Sequence, residues 1–333
     1  MPISAFGGAA RWALAAVGVA PSWLFCLGGL WYGWRAARRA GVAPAALGRA
    51  VRQSARASVP PGLAGVLGVA VMAGYVGGPL AWLRLSAAGA LPYELAAATL
   101  TAGRALARLT PALYAASALI ATIGMLPGPL LCLGVLGFYL PGQHARRSGR
   151  RWGWLGLLAC TAATLFAAFG LARLAAGPLM PAAAVPGLTV RLQKSLCRVA
   201  VLYWPGAVAE FLLYAPLLGR AACWVGFLTG SVGNVRLPCV LEARAEAAVL
   251  PGTPAGEAVS LAAVSASAGV TLGVTAAGTA VLAPFMGALS AMLRPYTGAV
   301  QAAVFALYAA PAVRCALAFV RRRAAHNKKA AKR

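Results

Sequence analysis

Long uncharged apolar runs constrain this chain more than any other feature. No Asp, Glu, Lys or Arg interrupts residues 12–34, 59–82 or 109–143. A helix needs about 20 such residues to cross a ~30 Å hydrocarbon core, where backbone N–H and C=O groups find no water. Composition agrees: 61% of the 333 residues are hydrophobic and 11% are charged, against about a quarter charged in soluble domains. The sequence predicts an all-α, polytopic transmembrane helix bundle of seven or eight spans, with one or two re-entrant or broken segments. It reads as a single integral membrane domain over 1–320 and a basic cytoplasmic tail over 321–333.

Charge then sets the expected topology. Thirty residues are Lys or Arg and five are acidic. The acids are Glu94, Glu210, Glu242, Glu246 and Glu257, and aspartate does not occur. A net charge of +25 would suit a nucleic-acid binder. Here, however, the bases lie in short clusters between apolar runs, where they orient a membrane protein. Nucleic acid is therefore rejected as a partner, and the lipid bilayer is expected, with some attraction to anionic headgroups. The expected spans are 12–34, 59–82, one within 109–143 kinked or broken at Pro127-Gly128-Pro129, then 152–175, 199–219, 258–283 and 296–320. Residues 35–56 read as a short basic helix on the cytoplasmic surface, and 242–257 as an acidic loop.

If 221–241 enters and returns, seven crossings put 35–56, 144–151 and 321–333 on the cytoplasmic side and the N-terminus outside. Eight crossings would strand the tail opposite the first basic cluster. The order span, basic segment, span, polar segment, span recurs in 12–140 and 152–283. An odd number of crossings per half would make the halves inverted, a common transporter plan.

Four features carry the candidate site. Glu210 lies at the middle of an expected span, where an ionisable group is costly and faces a cavity or a partner. The stretch TGSVGNVRLPC, 229–239, opposes continuous helix and contributes Thr229, Ser231, Asn234 and Arg236. Non-helical backbone at membrane depth is tolerated only when buried in protein or lining water, and its freed groups then bind ions or substrate. The alternative is an ordinary cytoplasmic loop. Ser267, Thr271, Thr275 and Thr279 recur every fourth residue, so their hydroxyls share one helix face. That face is either a wall of the pathway or a tight packing seam. Arg84 and Glu94 flank a polar segment, 84–108, and suggest a gate or an ion pair.

Absences narrow the chemistry. There is no G-x-x-x-x-G-K-[ST] loop for nucleotide phosphates and no H-E-x-x-H. Without aspartate, an intramembrane aspartyl protease and an aspartyl-phosphate pump are excluded. No catalytic residue, metal or cofactor is assigned, and the seven cysteines, which form no C-x-x-C pair, read as small buried hydrophobes.

A basic helix precedes SVPPGLAGVLGVAVMAGYVGGPLAWLRLSAAGALPYELAAA. The run Gly78-Pro79-Leu80-Ala81-Trp82-Leu83-Arg84-Leu85-Ser86, followed by Tyr93-Glu94, resembles a bacterial membrane family called domain of unknown function 5058. The resemblance is firm over 44–98 and looser over 20–175. It implies a multi-pass inner-membrane protein without assigned chemistry, and it raises interest in Arg84 and Glu94. The functional expectation is a secondary transporter or permease for a small solute, an organic anion or an amino-acid-like molecule, in a bacterial cytoplasmic membrane. Its partners would be a small-molecule or ion substrate and, in an assembly, further copies of itself or another membrane subunit. The competing expectation is a non-catalytic subunit that scaffolds a partner through its glycine-rich faces.

Overall fold

The computed structural model describes residues 8–87, 122–124, 126–136, 147–176 and 188–330. Glu94, His144 and the connection 177–187 lie outside these residues, as do most of 84–108 and 109–143. Among the described residues the regular structure is helical, with no strand. The helices are α1 (Ala9–Arg39), α2 (Pro44–Ala57), α3 (Val59–Val76), α4 (Gly78–Ala87), α5 (Pro127–Gly134), α6 (Arg147–Ala176), α7 (Leu188–Leu218), α8 (Arg220–Thr229), α9 (Leu237–Glu246), α10 (Pro254–Leu282), α11 (Met286–Leu293) and α12 (Thr297–Ala330). Five helical stretches are long and apolar enough to cross a bilayer: Ala9–Arg39, Pro44–Gly74, Trp152–Leu171, Pro254–Leu293 and Gly298–Ala318. They contain or overlap the expected spans 12–34, 59–82, 152–175, 258–283 and 296–320. The expected span 199–219 is helical within α7, with Pro205 and Pro216 inside it, but is not among the five.

The bundle is organised around α10. Small residues let its neighbours approach closely, the usual substitute for hydrophobic driving force between helices in lipid. α1 runs antiparallel to it: Gly33 lies against Ala262 and Ala258, Gly29 against Ser265, and Trp23 against Gly273. α3 runs parallel to it, with Gly62 on Val274, Gly65 on Thr275 and Val66 on Gly278. α6 lies antiparallel to α1, pairing Trp152 with Gly28, Gly156 with Phe25, and Gly170 with Leu14.

This packing brings several basic segments to one end, whereas Lys194 and Arg198, near the start of α7, lie toward the other. α1 finishes there with Arg38 and Arg39. α6 begins there, since Trp152 stacks on Tyr32 at 6.0 Å. Arg314 of α12 joins Arg49, Arg52 and Arg56 of α2 around one cleft at the same end. At the opposite end, Arg11 donates to the Leu174 carbonyl at 3.3 Å.

Several boundaries differ from the sequence expectation. The span 59–82 is broken: Gly77, at φ 77° and ψ 151°, ends α3. The chain then turns back, because Gly78 sits on Trp12 while Leu83 reaches Gly18, further along α1. Residues 35–56 divide between two helices, and the separate helix is shorter than expected and buries one face. α1 continues to Arg39, and α2 buries Leu47, Ala50, Ser54 and Ala57 in a small core with Ala243, Ala258 and Ala262. The loop 242–257 shrinks to 247–253, because α9 runs to Glu246 and α10 starts at Pro254. Thr253 caps α10 by accepting from Gly256 N–H at 3.0 Å. At Pro127, the site of the expected kink or break, a helix begins, as proline at a first-turn position allows. Helix α12 continues through the tail bases to Ala330. Of the cysteines, Cys197 is exposed and Cys315 partly so; the other five are buried.

A β-carbon on Gly33 would stand 2.7 Å from Ala262 N and 3.0 Å from Ala258 O, both backbone atoms that cannot swing aside. Gly33→Val is expected to destabilise the α1–α10 seam by about 1–3 kcal/mol, read as a lower melting temperature in micelles. Gly134→Ala, where the added carbon meets nothing within 4 Å, serves as the tolerated control.

Candidate functional site

The sequence TGSVGNVRLPC forms the tip of a helical hairpin. Its first limb, α8, begins beside the start of α10, where Ala221 N–H donates to Glu257 Oε2 at 3.2 Å. It runs along α10 past Val264, which faces Gly226. Gly230 at φ 68° and Ser231 at φ 53° then take left-handed conformations, a π-helical turn covers Val232–Arg236, and α9 follows. The chain is returning by then: Arg236 reaches Ser267 and Thr271, whereas Arg244 reaches back to Ser260. A left-handed serine is strained, and such strain concentrates at functional positions.

The hairpin is closed at its base by two charged side chains. The break between α7 and α8 leaves carbonyls at one helix end and N–H groups at the next without intrahelical partners. Arg244 donates to the Leu217 carbonyl at 2.6 Å and the Leu218 carbonyl at 2.9 Å, and to Ser260 Oγ at 2.8 Å. Glu257 takes the Ala221 N–H, a carboxylate at a helix N-terminus. Gly219, at φ 86°, has no room for a side chain, because its β-carbon would collide with the Glu257 carboxylate. Sequence reasoning missed both residues. Their positions beside Gly219 in space, 25 and 38 residues away in the chain, leave no local signal.

At the tip, Arg236 is 2% exposed. Its Nη1 donates to Ser267 Oγ at 2.7 Å and to Thr271 Oγ1 at 2.9 Å. Its buried Nε has no hydrogen-bond partner. The Ser58 and Ser267 hydroxyls are 2.7 Å apart, and Cys239 Sγ lies 3.8 Å from Ser58 Oγ. No carboxylate of a described residue stands within ion-pair distance of Arg236. The guanidinium is thus solvated by hydroxyls.

Glu210 faces a neighbouring cleft of about 60 Å³ that it shares with Tyr203, Phe227, Gly230 and Ser231. Glu210 and the glycine-serine tip, separated in sequence, therefore meet. The hydroxyl face of α10 divides. Ser267 and Thr271 serve Arg236, while Thr275 donates to the Gly62 carbonyl at 3.3 Å and belongs to the α3 seam. Thr229 bonds back to the Val225 carbonyl of its own helix, and Asn234 is exposed. Arg84 is 1% exposed and donates to Thr122 Oγ1 at 3.4 Å, but Glu94 lies outside the described residues. At the basic end, α8 also borders a cavity of about 480 Å³ lined by Trp31, Tyr32, Arg35, Trp152, Trp224 and Glu257, among others.

Spanning-length helices around a hairpin with a polar tip define a multi-pass integral membrane protein whose surroundings are a lipid bilayer. The chain belongs to the family described as a domain of unknown function (DUF5058), whose profile matches residues 12–188, just over half of its length. No curated protein and no solved structure matches it significantly. The match contains the run around Trp82 and Arg84 and ends at the first residue of α7, before the hairpin.

Ser267→Ala removes a hydroxyl that two polar groups use, and is expected to cost about 1–3 kcal/mol. Thr279→Val is expected to be neutral or stabilising, because the buried Thr279 hydroxyl has no hydrogen-bond partner. Parallel unfolding curves in the same detergent separate the two.

Proposed function

We propose that this protein is a membrane transporter for a small organic anion, with the α8–α9 hairpin re-entering from the cytoplasmic face. One observation carries the reading: a buried arginine, unpaired with any described carboxylate, sits at the tip of a broken hairpin. Ten helical residues rise about 15 Å, half of a ~30 Å hydrocarbon core. Measured from the basic end, α8 thus takes Ser231 and Arg236 to the bilayer midplane, the usual depth of a transporter's substrate site. A guanidinium there is costly unless it meets a counter-charge or water. A carboxylate on the substrate supplies the counter-charge, with Ser267 and Thr271 as further polar contacts and Glu210 as the coupling group beside the tip.

Symmetry supports the same plan. Gly77 and Gly219 share one backbone conformation, φ 77° and ψ 151° against φ 86° and ψ 158°. Each is followed directly by a helix and, five residues later, by a tryptophan, Trp82 or Trp224. α4 enters from the end opposite to α8. Inverted half-helices meeting near the midplane suit alternating access. In this reading the chain crosses seven times, the N-terminus is outside, the basic end is cytoplasmic, and the 480 Å³ cavity is the inner vestibule. The glycine face that motivates a scaffold, Gly62 and Gly65, is covered by α10 of the same chain.

Single cysteines at Ser231 and Thr271 in a cysteine-free background test the water path. A membrane-impermeant thiol reagent is expected to label both, as it labels Ala248→Cys in the α9–α10 turn. Labelling of the turn alone sinks the transport reading. Binding is tested separately with a panel of short mono- and dicarboxylates. At least one should raise the melting temperature of the wild type and fail to do so for Arg236→Gln. A panel that moves neither protein removes the anion.

A further inference from the structure

The basic end carries a second charged feature that the transport reading does not use. Arg49, Arg52 and Arg56 of α2, with Arg314 of α12, line a cleft of about 410 Å³ together with Gln53 and Glu246. The arginines come from opposite ends of the chain, so only the fold assembles them. Two contacts fix the α2 wall against α9: Arg49 Nε pairs with Glu246 Oε1 at 2.6 Å, and Gln53 donates to Glu242 Oε2 at 2.8 Å. Glu246 is the single acid among four arginines here, and it is already matched by Arg49. Three guanidinium groups remain to face the cleft.

Where the cleft sits decides what can fill it. Arg314 lies inside the apolar stretch Gly298–Ala318 of α12. It is exposed, and its neighbours along the helix, Val313, Leu317 and Val320, are 54%, 51% and 62% exposed. That is a lipid-facing surface. A cation on such a surface reaches for the headgroup layer. On the other wall, Arg49, Arg52 and Arg56 follow one another along α2 and are exposed. Three cations lining one cleft beside that lipid-facing surface match the phosphate groups of anionic lipid. Arginine's planar fork suits phosphate oxygens.

We propose that this cleft is a specific binding site for the phosphate headgroup of an anionic phospholipid, with acyl chains lying along the exposed apolar face of α12. The site bridges α2 and α12, so an occupied cleft ties the first basic segment to the last helix. The inference does not depend on transport.

The test uses the full-length protein, purified in a neutral detergent and titrated with phosphatidylglycerol, phosphatidylcholine or inorganic pyrophosphate. Wild type should bind phosphatidylglycerol, observed by native mass spectrometry and as a rise in melting temperature, and should not respond to phosphatidylcholine. The triple variant Arg52→Gln, Arg56→Gln, Arg314→Gln should bind it roughly 100-fold more weakly. This follows from about fivefold per cation lost near an anionic surface. Arg11→Gln, at the opposite end, should bind like wild type. Equal affinity in the triple variant overturns the site. An equal response to pyrophosphate overturns the lipid source and assigns the cleft to a soluble phosphate. Should the triple variant not fold, Arg314→Gln alone is titrated, and an unchanged affinity there also overturns the proposal.

Discussion

The candidate site depends on how Arg244 and Glu257 satisfy the backbone at the break around Gly219. Ending one helix and starting another inside a bundle exposes carbonyls and N–H groups that lipid cannot bond. Arg244 covers the Leu217 and Leu218 carbonyls, and Glu257 covers the Ala221 N–H. Hydrogen bonds to charged groups are worth about 1.5–3 kcal/mol each, and leaving such groups unmet costs at least as much. With the base closed, α8 can descend, reverse at the left-handed Gly230 and Ser231, and return as α9. Without it, α7 and α8 would be driven to continue as one helix, and Arg236 would lose its position.

Around this hairpin the bundle is held by close approach more than by bulk. Gly29 and Gly33 of α1 and Gly62 and Gly65 of α3 place two helices against α10 at distances that no side chain would permit. α10 consequently has two tasks along one polar face. Its middle supplies Ser267 and Thr271 to the hairpin tip, and its later part gives Thr275 to the Gly62 carbonyl. A regular hydroxyl stripe is thereby divided between site and seam by what packs opposite each residue.

Gly77 and Gly219 share one physical motif. In each case, a glycine with positive φ lets a helix stop and the next helix turn back into the bundle. A residue with a side chain is strained at that φ. The two turns lie at opposite ends of the bundle, so both short helices point toward the middle, where Arg84 and Arg236 are buried.

The sequence by itself determined the membrane class, the helical fold and the grouping of basic segments, because each follows from counting. Runs of about 20 uncharged residues have one stable form in hydrocarbon, and clustered arginines stay out of it. It also located the break at 229–239, since glycine, serine, asparagine and proline oppose helix locally. Only the tertiary structure decided the rest. It split the expected span 59–82 at Gly77, where a Gly-Gly-Pro sequence fits a helix start as well as a helix interior. It seated α2 on α9 and α10, moved Thr275 into a seam and left Asn234 exposed. It also recruited Arg244, Glu257 and Ser58, whose roles come from neighbours distant in sequence. Such contacts are set by which helix faces pack together, and residue spacing along one helix carries no information about its partner.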